Sequence, residues 1–148
     1  MEWIDALRGE TVGLDTAPLI YFIERHPVHG PKLKLFFAAA ERREFRIVTS
    51  LVTLLEVLVH PMRNGRDDFV RDYRDILLQS PSLTALPLDE EIAEEAARLR
   101  AVHGVTTPDA IQLATAKATG ATWFLTNDAD LPSLPGISLL VVDRLQAP

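Results

Sequence analysis

Short apolar runs rich in β-branched and aromatic residues alternate along this chain with longer stretches of helical spacing. That alternation narrows the fold more than any other feature. Thr11–Leu14, Phe45–Thr49, Ala121–Leu125 and Ile137–Val142 read as strands. Pro18–Glu24 opens a helix that Pro27 and Gly30 close, and Leu33–Arg43 reads as a second. Val52–Val59 is apolar on every side and reads as a buried helix ended by Pro61. Asp67–Leu78 is helical and charged, and Leu83–Leu88 an extended link. Asp89 caps a helix with Ile92, Ala96 and Leu99 on one face and Gly104 at its end. Thr107 and Pro108 start another, a hydroxyl cap followed by proline, and Gly120 stops it. Strands alternating with helices predict an α/β sandwich around a mostly parallel sheet. With no repeat and no Gly/Ser linker, residues 1–148 are expected to form one domain.

Composition then removes whole classes of function. The chain has no cysteine, which excludes disulfides, zinc–thiolate sites, iron–sulfur clusters and thiol catalysis. The opening Met1–Glu10 carries Glu2, Asp5, Arg8 and Glu10, unlike a signal peptide. The longest apolar stretch, Ile47–Val59, is interrupted by Glu56 and too short to span a bilayer. A cytoplasmic location is the expectation.

In a parallel sheet, functional groups gather beyond the carboxyl ends of the strands. Four acids fall there. Asp15 follows the first strand, and Asp128 follows Trp123-Phe124-Leu125. Asp109 stands in the first turn of the helix opened at Thr107-Pro108, and Glu56 lies inside the helix after the second strand. Each has an architectural reading as well. Asp15 could cap a helix, Asp109 could complement a helix dipole, and Asp128 could close an Asx-turn. Glu56, among leucines and valines, would need a partner such as Arg63 or His60 if it is to be buried without a cation. Acids crowded together repel, and a hard divalent cation, Mg²⁺ or Mn²⁺, relieves that repulsion. Such a site suits phosphoryl chemistry, with the metal making a bound water nucleophilic.

The segments Gly-Leu-Asp-Thr-Ala-Pro-Leu-Ile-Tyr around Asp15 and Thr-Leu-Leu-Glu-Val around Glu56 resemble the PIN-domain nucleases. So do Thr-Thr-Pro-Asp-Ala-Ile-Gln-Leu-Ala-Thr-Ala around Asp109 and Phe-Leu-Thr-Asn-Asp-Ala-Asp-Leu around Asp128. Within that family the resemblance is to the VapC toxins, and it covers nearly the whole chain in the family's order. It implies an α/β/α fold and a Mg²⁺- or Mn²⁺-dependent ribonuclease with Asp15, Glu56, Asp109 and Asp128 at the metal site. Thr16 and Thr126 would support the acids, with Asn127 a further member of that polar shell. Some relatives carry the last acid a few residues later, which makes Asp130 the alternate to Asp128. His60 lies outside the acidic set. The resemblance further implies a homodimer and a small antitoxin that inserts a segment at the cleft. Phe22, Leu35, Phe36 and Phe37 are possible contacts for it or, equally, core. Many relatives begin close to the first strand, so Met1–Glu10 is an extension, packing on this domain or on a second copy.

RNA requires basic groups for its backbone. Arg42, Arg43 and Arg46, then Arg63, Arg66, Arg71 and Arg74, are the densest stretches, although acids alternate with many of them. The net charge of −6 speaks against a polyanionic partner until its distribution is considered. Nine of the 21 acids lie in the proposed cluster and in Asp89, Glu90, Glu91, Glu94 and Glu95; the remaining twelve face fifteen bases. Two other functions compete. One is a non-catalytic PIN-like module that binds RNA or protein. The other is an aspartyl phosphatase at Asp15-Thr16, disfavoured because Ala17 stands where a second Asp is needed.

Overall fold

The computed structural model describes residues 1–148. Five strands form one all-parallel sheet: β1 (Thr11–Leu14), β2 (Arg46–Ser50), β3 (Leu83–Leu86), β4 (Trp123–Thr126) and β5 (Ser138–Val141). Their order across the sheet is β3-β2-β1-β4-β5. The chain therefore moves outward from β1 on one side, then crosses back and moves outward on the other. The reversal falls between β1 and β4, where a crevice opens at the carboxyl ends of open α/β sheets.

Seven α-helices cover the sheet: α1 (Glu2–Asp5), α2 (Thr16–Ile23), α3 (Gly30–Glu41), α4 (Leu51–Arg63), α5 (Asp67–Leu78), α6 (Glu90–His103) and α7 (Thr107–Ala118). One apolar core joins α1 to α5 with one face of the sheet, through Leu19, Phe36, Ile47, Val57, Tyr73 and Leu125 among others. A second joins α6 and α7 to the opposite face around Leu99, Leu113 and Phe124. This is the three-layer α/β/α sandwich expected. The extension packs on its own domain: Ile4 and Leu7 are buried, and the Trp3 ring stacks on Phe36 at 6.3 Å.

Several boundaries differ from the sequence reading, each for a local reason. Helix α2 begins at Thr16, before Pro18, because the Asp15 side chain accepts from the Thr16 N–H and caps it. It ends at Ile23 without reaching Pro27, with Arg25 in the left-handed region at φ 55°. Gly30 opens α3 instead of closing α2, followed by Pro31 in the first turn. Helix α4 runs through Pro61 to Arg63; a proline has no N–H for the carbonyl four residues back, yet near a helix end this breaks little. Nor is α4 buried all round, since Leu55 is 66% exposed and Met62 61%. The link at Leu83–Leu88 contains β3, which pairs with β2 over four residues. The cap of α7 is Thr106, one residue early, whose hydroxyl accepts from the Asp109 N–H at 3.3 Å.

Helix α7 lies close against the sheet at Gly13. A Cβ there would stand 2.7 Å from Phe124 Cδ1 and 2.8 Å from the Ala116 Cβ. The small side chains Ala110, Ala114 and Ala116 on α7 permit the approach, and all three are buried. The contact seats α7, which carries Asp109 in its first turn, against β1.

Candidate carboxylate site at the sheet switch point

The crevice between β1 and β4 is lined by groups from four elements. Asp15 directly follows β1, and its N–H extends the ladder to the Leu125 carbonyl at 2.9 Å. One carboxylate oxygen, Oδ1, accepts from the Thr16 N–H at 2.8 Å. The other, Oδ2, accepts from the Thr126 hydroxyl at 2.7 Å. Thr126 ends β4, is wholly buried, and its oxygen also accepts from the Asp128 N–H at 3.0 Å. The Thr16 hydroxyl donates to Glu56 Oε1 at 2.7 Å, which brings the acid of α4 to the start of α2.

Burial raises the pKa of Asp15 most strongly. The bonds from Thr126 and Thr16 oppose that shift, and the charges of Asp109 and Glu56 add to it. The charges of Glu56 and Asp109 thus both reach Asp15. None of the chain's ion pairs involves Asp15, Glu56, Asp109 or Asp128. The partners considered for Glu56 do not engage it. His60 instead meets the Asn64 amide at 3.0 Å.

Asp128 stands apart from that trio. It is exposed, and its Oδ1 accepts from the Asp130 N–H at 2.9 Å in an Asx-turn. Asp130 is exposed as well. No three His, Asp or Glu side chains close around a single point as a ready ligand set. The donor set nevertheless fits a hard cation that keeps most of its waters: half-buried carboxylates, two of them held by hydroxyls, and none with a basic counter-ion.

Beneath the acids lies a buried polar network that the sequence reading did not assign. The Thr49 hydroxyl donates to the Leu14 carbonyl at 2.8 Å, lies 2.7 Å from the Thr53 hydroxyl, and approaches Gln112 Oε1 at 3.2 Å. The Gln112 amide donates to Thr53 and accepts from the Ser50 N–H at 3.3 Å. Gln112 is one turn from Asp109, and Thr53 one turn from Glu56. The network therefore ties the two acid-bearing helices to the strands beneath them. Its signal in the sequence is polar residues inside apolar helical runs.

Other expectations sort by burial. Phe36 and Phe37 are core, Phe22 is half-buried and stacked on Phe37 at 4.4 Å, and Leu35 is partly exposed. A surface cavity of about 760 Å³ lies at the α2–α3 elbow between Phe22, Arg25, His26 and Lys34, and none of the four acids lines it. Arg42 pairs with Glu44 and Arg66 with Asp68, whereas Arg63, Arg71 and Arg74 are exposed and form no ion pair.

Similar architecture occurs in solved toxin–antitoxin structures. VapBC2 from Rickettsia felis, bound to a promoter DNA fragment, has a TM-score of 0.69 at 18% identity, covering 88% of this chain and 98% of that one. VapC20 of Mycobacterium tuberculosis, a Sarcin-Ricin loop cleaving toxin, has a TM-score of 0.67 at 16% identity, covering 81% and 91%. A toxin–antitoxin complex from Klebsiella pneumoniae has 0.62 at 23%, covering 86% and 94%. No curated protein matches the sequence. The sequence model of the PIN domain matches residues 12–137, a span holding all four acids, β2, β3, β4 and all of β1 but Thr11. The chain belongs to the PIN-domain family.

Proposed function

We propose that the protein is a Mg²⁺- or Mn²⁺-dependent ribonuclease that hydrolyses RNA phosphodiester bonds, the toxin of a VapBC-type pair acting in the cytoplasm. The observation that carries this reading is the placing of Glu56 and Asp109 near the buried Asp15 at the switch point, with no ion pair to any of the three. Asp15 and Asp109 would hold the ion, with Glu56 and Asp128 acting directly or through water, and Asp130 the alternate to Asp128. When bound, the metal activates a water and offsets charge that develops on the phosphate. The Thr126 and Thr16 hydroxyls aim Asp15 and Glu56, leaving those acids little freedom to turn away. Asp128, two residues past the end of β4, is exposed to solvent.

The neighbouring structures that are toxin–antitoxin complexes support a cognate antitoxin as partner. A homodimer is supported by the face of α4 that carries Leu51, Leu55, Val59 and Met62, all exposed at helical spacing. One such face can meet its own copy about a two-fold axis.

The test is cleavage of labelled RNA by purified protein. Activity is expected with Mg²⁺ or Mn²⁺, to vanish in EDTA, and to fall at least about a hundredfold in Asp15→Asn and Asp109→Asn with both variants folded. Full activity in either variant would sink the reading. A melting temperature that does not respond to either ion, in a protein that still binds RNA, would favour the non-catalytic module.

A further inference from the structure

We propose that the 3₁₀ turn Val142–Arg144, directly after β5, is a positioning element of the carboxylate site: α3 holds it, and it acts through Asn127 on the loop that carries Asp128. This rests on the ribonuclease reading only for its kinetic consequence.

His29, the residue before α3, and Lys32, in its first turn, converge on the 3₁₀ turn. Lys32 is 5% exposed, and its ammonium donates to the Val142 carbonyl at 3.0 Å. His29 Nε2 lies 2.8 Å from Asp143 Oδ1. Facing a carboxylate, Nε2 must carry a proton, so a neutral ring keeps its bare nitrogen at Nδ1. That Nδ1 is buried without a hydrogen-bond partner. Leaving it so is unfavourable, and the Asp143 contact is the polar interaction that holds the ring in place. The ring is further packed between Tyr21 at 5.1 Å and His26 at 4.8 Å.

The turn in turn holds Asn127. The Asp143 N–H donates to Asn127 Oδ1 at 2.9 Å, and the Asn127 amide donates to the Tyr21 hydroxyl at 3.0 Å. Both ends of one side-chain amide are therefore engaged, one by the C-terminal turn and one by α2. Asn127 stands between Thr126, which bonds Asp15, and Asp128. Tyr21 is on the helix whose first residue, Thr16, bonds Glu56. The chain of contacts joins α3, the 3₁₀ turn, the loop after β4 and α2, and it fixes the spacing between the acid-bearing ends of β1 and β4. Tyr21, His29, Lys32 and Asn127 are positioning residues, since none of them bonds to the acids.

The experiment uses the full chain with Tyr21→Phe and Asn127→Leu, read by RNA cleavage and by amide hydrogen exchange. In both variants kcat is expected to fall about tenfold, the factor that 1.4 kcal/mol represents, with KM within about twofold. Amides of Asp128, Ala129 and Asp130 are expected to exchange at least about fivefold faster, while those of β1 and α7 keep their protection. Tyr21→Phe should add little in the Asn127→Leu background, because the two remove one shared bond. Unchanged exchange in the loop overturns the proposal. So does acceleration that spreads through the whole sheet, which would mark a general structural role. If the parent protein cleaves no RNA, the ribonuclease reading fails by itself, and the exchange pattern alone decides for or against the positioning turn.

Discussion

Asp15 ends β1, caps α2, and points its second oxygen at β4, so one side chain serves both the fold and the site. Burial raises its pKa from the ordinary aspartate value. In the unfolded chain the same group ionises at lower pH. Between the two pKa values the native state binds more protons, so stability falls as pH rises through that window and stays lowered above it. Asp15→Asn removes the ionisation. In EDTA at neutral pH the variant is therefore expected to be at least as stable as the parent, its relative advantage shrinking as pH falls through that window and constant below the unfolded value. Denaturant unfolding across that pH range checks the sign; a variant whose deficit grows with pH would contradict it. Gln112 offers a second test at this scale. Gln112→Leu leaves the Ser50 N–H without its side-chain acceptor and the Thr53 hydroxyl with Thr49 alone, an expected loss of about 1–3 kcal/mol in unfolding free energy. The architectural readings of Asp15 and Asp128 both hold as geometry, because a cap or an Asx-turn uses one oxygen and leaves a second. Only the ion-pair reading of Glu56 is absent.

At the scale of elements, most helices and strands were legible because their signals are local: periodicity, a capping hydroxyl or carboxylate, a glycine in the left-handed region. Asp89 caps α6 through the Ile92 N–H at 2.8 Å, and Gly104 ends it at φ 69°. What misled were prolines and short edges. Pro61 looked like a stop, but a helix in its last turn has few bonds left to lose. The short β3 carried too little alternation to separate from a link, and its pairing with β2 makes it a strand. The close approach of α7 to β1 is likewise invisible in either segment alone. Gly13→Ala is expected to destabilise by about 1–3 kcal/mol, measured by thermal or denaturant unfolding, because its new methyl meets Phe124 and Ala116. It should also reduce RNA cleavage by displacing Asp109 from Asp15. A variant as stable as the parent would show that α7 can shift outward freely.

Across the whole molecule, the net charge of −6 describes the binding properties poorly, because the acids are unevenly placed. The trio at the switch point forms one concentration and α6 the other, where Glu95 is already paired with Lys117 at 2.7 Å and with Arg98. The exposed apolar face of α4 belongs to this scale too. Leu55→Glu, at a position 66% exposed, is expected to leave melting unchanged and convert a dimer to monomer in sedimentation. A parent protein that already sediments as a monomer would remove the homodimer from the proposal.

The sequence by itself determined the α/β class, the place of each acid relative to its strand or helix, and the absence of thiol chemistry. Those follow from side-chain period, from capping and from composition, all of which act over a few residues. Tertiary structure decided which acids meet: the charges of Glu56 and Asp109 reach Asp15, while Asp128 is exposed in its own Asx-turn. It also decided that Lys32, His29 and Asn127 would converge on one C-terminal turn, and Gln112 on Thr53. These contacts link residues that are distant along the chain, and only the closing of the sheet brings their donors and acceptors within reach.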